Sequence, residues 1–441
     1  MAEITIDLKL TVKIPEEGIK INNLLYQLRK FLAQLYFAIL KAICSAVEDD
    51  AIAKLKESSP GRYVRNGRQS NHRQIRTAYG LFRYRMARVR DKETHRTLTP
   101  LPAAISLPRY GRHVTETGEG GIGLVCHLSY RRSVKEIDRL LGTGMSKSTL
   151  HRQVQDFAQE KCHWSDLGKI PYRFLMVDGT KVRLQERGND GRKRKVVPMR
   201  WALASVGEKE KFELVGIWVH KSWEQIRHDL NKRLDYSKLE VLFSDGGQGI
   251  EYNFLAPGMH HQRCVWHGKR DFPYILYFDK LKKPQQKAFK DKLKSIPAMN
   301  LSQADLEELT PEDLPKVQEL AKKTQQGFEE LIDALPEEKY PTARTYIENL
   351  SKTVTTFFDI WFAHKVWIPL NTNAIESCFS QVKNRIWAVG KRWSEPGLIN
   401  WLKVVINKIF FPSNWNQLWG EYLNIDSHLQ FNLMEVKYQW Q

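Results

Sequence analysis

Apolar and polar positions alternate with different rhythms along the chain. A short run of period two near the start (Ile4, Ile6, Leu8, Leu10, Val12) predicts an edge strand. From Asn22 the spacing lengthens to that of a helix with the apolar stripe Leu24, Leu28, Phe31, Leu35 and Ile39. Gln27, Arg29, Lys30, Gln34 and Lys41 interrupt the greasy segment Leu24 to Val47, so it reads as an amphipathic core or dimer helix and not as a membrane span. Leu81 to Arg90 (LFRYRMARVR) alternates as one strand. Past a linker holding Pro100, Pro102 and Pro108, the segment Gly120 to Lys161 is helical. Ser133 and Glu136 have capping-box spacing, Leu141-Gly142-Thr143-Gly144 stops the first helix, and Ser146 or Ser148 opens a second. Two helices joined by a Gly-containing turn suit either a helix-turn-helix or an ordinary αα-hairpin.

The middle of the chain turns to strands. Pro171 to Gln185 (PYRFLMVDGTKVRLQ) begins as a buried strand and ends half exposed, Asn189-Asp190-Gly191 signals a hairpin, and Val196 to Val206 and Phe212 to His220 follow as strands. Trp223 to Leu234 is a helix with Ile226, Leu230 and Leu234 on one face, and Leu239 to Phe243 is a fourth, buried strand ending at Ser244-Asp245-Gly246-Gly247. Three antiparallel strands, a helix and a buried strand follow a ribonuclease H-like order, so the expected class is multi-domain α/β with a mixed sheet. His260 to Trp266 reads as another strand, and Pro284 to His364 as a charged helical insertion. A last helix opens at Asn371 with Phe379, Val382 and Ile386 on its apolar side, and the Trp-rich run from Trp401 to Gln441 packs back as core. The expected segments are a helical, dimerising 1–57, a basic 58–110, a helix-turn-helix-like 111–165, a sheet domain in two parts (170–283 and 366–412) around the insertion 284–365, and a C-terminal 413–441.

Charge narrows the function classes. The chain of 441 residues carries a formal +19, spread over most of its length, which points to a polyanionic partner, with nucleic acid ahead of a membrane surface. Arg62, Arg65, Arg68, Arg73, Arg83 and Arg85 fall in a stretch with no acid between Glu57 and Asp91, so they are expected to touch DNA phosphates; the alternative is a solvated basic face. Arg131 and Arg132 before the first helix of the pair and Arg152 on the second extend that surface. Arg192 and Arg194 at the hairpin tip, and Lys383, Arg385, Lys391 and Arg392 on the last helix, are further candidates. Five scattered cysteines without a CxxC pair read as reduced thiols in a cytoplasmic protein, and the N-terminus has no signal-peptide core.

Three acids stand out: Asp178 inside the first strand, Asp245 at the end of the fourth and Glu376 near the start of the last helix. Desolvating an unpaired carboxylate costs several kcal/mol or more, so Asp178 needs a proton, a partner or a metal. Phosphodiester chemistry asks for two magnesium ions (manganese substituting) held by oxygen ligands, which carboxylates supply. Each acid also has a plain structural reading: Asp178 and Asp245 precede Gly and suit turns, and Asn373 with Glu376 has capping-box spacing. Cys264 and His267 lack a second ligand pair, which argues against a closed zinc site.

The motifs Val177-Asp178-Gly179-Thr180, Phe243-Ser244-Asp245-Gly246, Gln262-Arg263-Cys264-Val265-Trp266-His267 and Asn371-Thr372-Asn373-Ala374-Ile375-Glu376 resemble those of DDE transposases of prokaryotic insertion sequences, on the branch related to the Mutator elements. The resemblance covers roughly residues 80 to 412; its most specific parts are Cys-x-x-His and Thr-Asn-Ala-Ile-Glu. It implies that Asp178, Asp245 and Glu376 form the catalytic metal-binding triad. It also implies that Cys264, Trp266 and His267 lie near the active site, with His267 on a phosphate and Trp266 against a displaced base. The implied partners are double-stranded DNA, as terminal inverted repeats and target, and a homodimer or larger homo-oligomer on that DNA, with no membrane. The implied location is the cytoplasm of a prokaryote, at the nucleoid. A DNA-binding protein without catalysis and a structure-selective nuclease without strand joining are the rival readings.

Overall fold

The computed structural model describes residues 4–8, 10–13, 15–107, 116–141, 144–163, 170–187, 194–389, 393–423 and 431. It is a mixed α/β chain in which helices predominate, and it divides into two units, Met1–Lys161 with Phe411–Gln441, and Cys162–Phe410. Lys391, Arg392, Arg192 and the hairpin tip Asn189 to Gly191 lie outside the described residues.

In the first unit, helix α1 (Ile21–Ser58) is packed along its second half. Phe37, Leu40, Cys44 and Val47 lie against Ile75, Phe82, Tyr84 and Met86, and Ile52 lies against Ala87 and Val89. The strands involved are β1 (Tyr63–Arg68), β2 (Arg73–Thr77), β3 (Gly80–Tyr84), β4 (Ala87–Asp91) and β5 (Thr97–Leu98), arranged as an antiparallel sheet β1-β4-β5 and a hairpin β2-β3. The buried Glu48 bolts helix to strands, accepting from Ala87 N at 2.7 Å and from Tyr84 OH at 3.0 Å.

Two expectations for the part of this unit before α2 fail. Leu81 to Arg90 is two strands in different sheets, because the Arg85 and Met86 carbonyls accept from Arg68 Nη1 and Gln69 N instead of from a ladder partner. The described residues between Ile4 and Val12 form no strand, and Ile4, Leu8, Leu10 and Val12 are exposed. The expected apolar stripe of α1 is exposed at Leu24 and Leu28 and half-buried at Phe31, Leu35 and Ile39; Ile21, Leu25 and Leu32 are exposed as well, so among the described residues nothing covers the first turns. By length and composition α1 is the one helix among the described residues able to cross a membrane.

After the short α2 (Leu101–Ala104), helices α3 (Glu116–Val125), α4 (Tyr130–Leu141) and α5 (Lys147–Glu160) pack on one another. Gly121 permits it: a Cβ there would lie 2.7 Å from Leu150 and 2.9 Å from Ile137. Ser133 is buried inside α4 and forms no capping box with Glu136; Ser129 Oγ instead accepts from Arg132 N at 3.4 Å. Ser146 caps α5, accepting from Thr149 N at 3.1 Å. The C-terminal helix Pro412–Leu423 stacks Trp419 on Phe157 of α5 at 4.6 Å, whereas Trp401 belongs to the other unit.

The second unit is built on a five-stranded sheet of order β10-β9-β6-β7-β8. Its strands are β6 (Phe174–Arg187), β7 (Arg194–Ser205), β8 (Glu213–Val219), β9 (Val241–Ser244) and β10 (His260–Arg263). β7 pairs antiparallel with β6 on one side and β8 on the other, while β9 runs parallel to both β6 and β10. Helices α6 (Trp223–Asn231) and α7 (Ile250–Phe254) supply Ile226, Leu230, Ile250 and Phe254, which cover Leu175, Val177, Ala202, Val215 and Leu242 on one face. Side chains alternate across a strand, so Phe174, Met176 and Asp178 point to the opposite face.

The expected strand His260 to Trp266 is shorter than read. It ends at Arg263, and Cys264 opens α8 (Val265–Phe278), with Cys264 O accepting from Gly268 N at 3.0 Å. From there to residue 372 the regular elements among the described residues are all helices, chiefly α9 (Lys283–Ser295), α10 (Pro297–Asn300), α11 (Gln303–Glu307), α12 (Leu314–Asp333), α13 (Pro341–Val354) and α14 (Thr356–His364). Gln262 ties this group to the sheet, accepting from Phe357 N at 2.9 Å and donating to Val354 O at 3.1 Å. α15 (Asn373–Lys383) and α16 (Glu395–Val405) complete the unit, and Trp201 of β7 meets Phe379 of α15 edge-on at 5.7 Å.

Candidate functional site

Register brings the first two acids together. β6 and β9 are parallel with Val177 opposite Ser244, so Asp178 and Asp245 are each the next residue at the carboxyl end of the paired segment. Each carboxylate accepts from a nearby glycine amide, Asp178 from Gly179 N at 2.6 Å and Asp245 from Gly247 N at 2.7 Å. Gly246 has φ +84° and lies against the Arg263 guanidinium, a place where a side chain would fit neither the backbone nor the space. Arg263 in turn donates to Asp245 O at 3.3 Å and to Tyr346 OH at 3.2 Å, which fixes the loop after β9.

Glu376 arrives from α15. Thr372 is the N-cap residue and Glu376 N donates to Thr372 O at 3.2 Å, so Asn373 lies inside the helix and the Asn373–Glu376 capping box does not form. Glu376 is exposed and its carboxylate lies 3.6 Å from His267 Nε2; on the other side of that ring, His267 Nδ1 is 3.4 Å from Thr372 Oγ1. His267 is itself buried, on the first turn of α8, so it faces Glu376 and Thr372 from behind.

The three acids and the histidine feel one another. Burial, first, and the charge of Asp245, second, push the Asp178 carboxyl up to about 7; Glu376 adds to the rise, while Gly179 N–H and His267 oppose it. Burial disfavours the His267 cation, but its hydrogen bond to Cys264 and the charges of Cys264 and Asp178 outweigh burial and raise its pKa. Burial likewise raises the Cys264 thiol, and the contacts with His267 and Thr372 bring it below its ordinary value. Cys-x-x-His is therefore one coupled pair standing behind Glu376.

Divalent magnesium is the group the sequence implies. The donor set suits it, being carboxylate oxygens in a spot where burial and the charge of Asp245 hold a proton on Asp178 up to about pH 7. As the side chains stand, no three His, Cys, Asp or Glu among the described residues are gathered closely enough to hold a metal ion.

The remaining candidates scatter. Trp266 is 51 % exposed, next to His267 in the chain, with the Arg270 guanidinium over its ring at 5.1 Å. Lys383 and Arg194 are exposed. Arg385 is buried, donates to Val389 O at 2.7 Å and stacks on Trp393 at 4.4 Å, so it serves the core and is not a surface contact for DNA. In the first unit Arg83, Arg85, Arg131, Arg132 and Arg152 are exposed and Arg73 half-buried. Arg62, Arg65 and Arg68 are ion-paired with Asp91 and Glu93, Asp49, and Glu48 respectively; tertiary packing supplies the acids that the local sequence lacks.

Sequence reasoning missed Thr372, although it stands within the quoted motif, and Arg270, whose place four residues after Trp266 is visible only once α8 is read as a helix. No protein-family model and no curated protein matches the chain.

Proposed function

We propose that the second unit performs metal-dependent phosphodiester chemistry on DNA as a DDE-type transposase, cutting at element ends and joining the freed 3′-hydroxyl to target DNA. The observation that carries this reading is the meeting of Asp178 and Asp245 at the ends of adjacent parallel strands, with Glu376 near enough to act on the Asp178 charge. The strand order, an antiparallel three-strand meander continued by two parallel strands, supports a ribonuclease H-like sheet, and the run of helices between β10 and α15 supports the helical insertion. Asp178, Asp245 and Glu376 would hold the magnesium, which when bound lowers the pKa of an attacking water or 3′-hydroxyl and offsets charge on the phosphate. His267 positions Glu376 from behind, and Cys264, by accepting a hydrogen bond from the ring, favours its charged form. In this reading the contact of His267 with a phosphate gives way to a positioning role, because the ring is buried.

The test uses purified protein, end-labelled DNA and magnesium, scored for cleaved and joined products. Wild type should yield both, and Asp178→Asn, Asp245→Asn and Glu376→Gln should each lose them by at least about a thousandfold, the scale of losing electrostatic stabilisation at a reacting phosphate. Since Glu376 makes no cap, Glu376→Gln should melt as wild type does. A folded Glu376→Gln protein that still cleaves removes the catalytic assignment; cleavage without joining favours the plain nuclease.

A further inference from the structure

The catalytic reading uses the inner face of α8 and, on the outer face, gives a place to Trp266 alone. Trp266, Arg270, Tyr274 and Phe278 recur every four residues, so they share one side of the helix; the three aromatics are 51, 67 and 71 % exposed, and Tyr277 beside them is 71 % exposed. The inner side is occupied by Val265, Gly268, Phe272 and Leu276. Large aromatic side chains turned to water in a row of this kind are costly to leave uncovered.

Basic residues from the next helix complete the surface. Trp266, Lys269, Arg270, Lys290, Lys294 and Asn300 line one concave site of about 510 Å³. Lys269 is anchored by its bond to Met299 O at 2.7 Å, and burial and the Lys294 charge hold its pKa below the ordinary range. Arg270 is paired with Asp271 at 2.7 Å; among the described residues Lys269, Lys290 and Lys294 have no ion pair. Arg270 also feels the charges of Asp245 and Asp178, so the surface lies within electrostatic reach of the candidate acids.

We propose that this face is a track for single-stranded DNA, taking unpaired bases on Trp266, Tyr274 and Phe278 and their phosphates on Arg270, Lys290 and Lys294. The charge complementarity selects a polyanion, and the aromatic row selects one with exposed bases, since stacking on aromatics needs an accessible base face. Spacing decides against a duplex: four helical residues rise about 6 Å, against about 3.4 Å between stacked bases in a duplex strand. The inference rests on the proposed DNA chemistry for its direction, with the strand running to or from the acids.

The test is fluorescence anisotropy with the full chain in EDTA, comparing a labelled oligothymidylate with a duplex of equal length. Tyr274→Ser/Phe278→Ser should weaken single-strand binding at least about tenfold, one stacked base or more, and change duplex binding less than twofold. Lys290→Gln/Lys294→Gln should lower the slope of log K against log salt on the single strand by about 1.4, two phosphates at about 0.7 each. All four side chains are at the surface, and melting curves matching wild type would certify the folds. Single-strand affinity unchanged in the aromatic variant, or equal losses on both DNAs, would overturn the track and leave the face for a protein partner or a duplex. End cleavage in magnesium is read separately: a protein that binds single strands here but never cleaves keeps the track and loses the catalytic reading, and one that cleaves with these variants' affinities unchanged does the reverse.

Discussion

Asp178 is the residue at which packing and electrostatics pull apart. Its strand is buried at Phe174 to Val177, so the fold holds the carboxyl where burial and Asp245 raise its pKa to about 7, against an ordinary 3.8. An acid raised on folding leaves stability untouched below its unfolded pKa and costs progressively more as pH climbs through the window up to the folded value. Here that window runs from about 4 to about 7, and above it the cost reaches roughly 4 kcal/mol, three pKa units at about 1.4 kcal/mol each. Asp178→Asn should therefore melt higher than wild type at pH 8 without metal, with the gain shrinking as pH falls toward 4. Magnesium at pH 8 should raise the wild-type melting temperature and move that of Asp178→Asn much less. Scanning calorimetry across that range checks both; a gain that is flat with pH would mean that the Asp178 charge is not the source of the strain.

At the scale of elements, legibility followed period and length. The strands β6 and β9 and helix α6 are readable because apolar runs of the right length end at turn residues, and α6 shows its Ser222/Gln225 capping box plainly, with bonds of 3.1 and 2.9 Å. α8 was hidden because its opening, Cys264-Val265-Trp266, has strand-like residues, and tertiary packing of Gly268 against Leu350 on α13 settles the matter for helix. The break between β3 and β4 was invisible because it depends on Arg68 and Gln69, residues far back in the chain. The candidate acids were legible as chemistry, while the absence of a cap at Glu376 needed coordinates. Gly216 on β8 is a further hidden element-level constraint: the Trp218 ring folds back over it, 2.0 Å from where a Cβ would sit, while Trp218 Nε1 donates to Asp229 of α6 at 3.2 Å. Gly216→Ala must displace that ring and break the sheet–helix link. A loss of about 1 to 3 kcal/mol in denaturant unfolding is expected, in the range of overpacked cores; an unchanged midpoint would show that the ring swings away freely.

For the whole molecule, the formal +19 is an excess from which every acid has already been subtracted, and it does not say which cations face a partner: some arginines are held by acids inside the chain and others are exposed. Arg62 holds Asp91 through bonds of 3.1 and 2.7 Å, and the Asp91 side chain, only 5 % exposed, is pushed well below the usual carboxylate range chiefly by that contact. Arg83, on β3 in the same basic stretch, is exposed. If DNA is the partner of the first unit, these two arginines must therefore answer differently to removal. Arg83→Ala should leave the melting temperature alone and lower the salt slope of duplex binding by about 0.9, one phosphate's counterion. Arg62→Ala should lower the melting temperature, since a carboxylate with little access to water loses its cation, and leave the salt slope of the remaining folded protein as it was. Equal salt slopes for wild type and Arg83→Ala would remove this stretch from the DNA surface, and a drop in slope for Arg62→Ala would mean that the Asp91 pair opens to meet the phosphate.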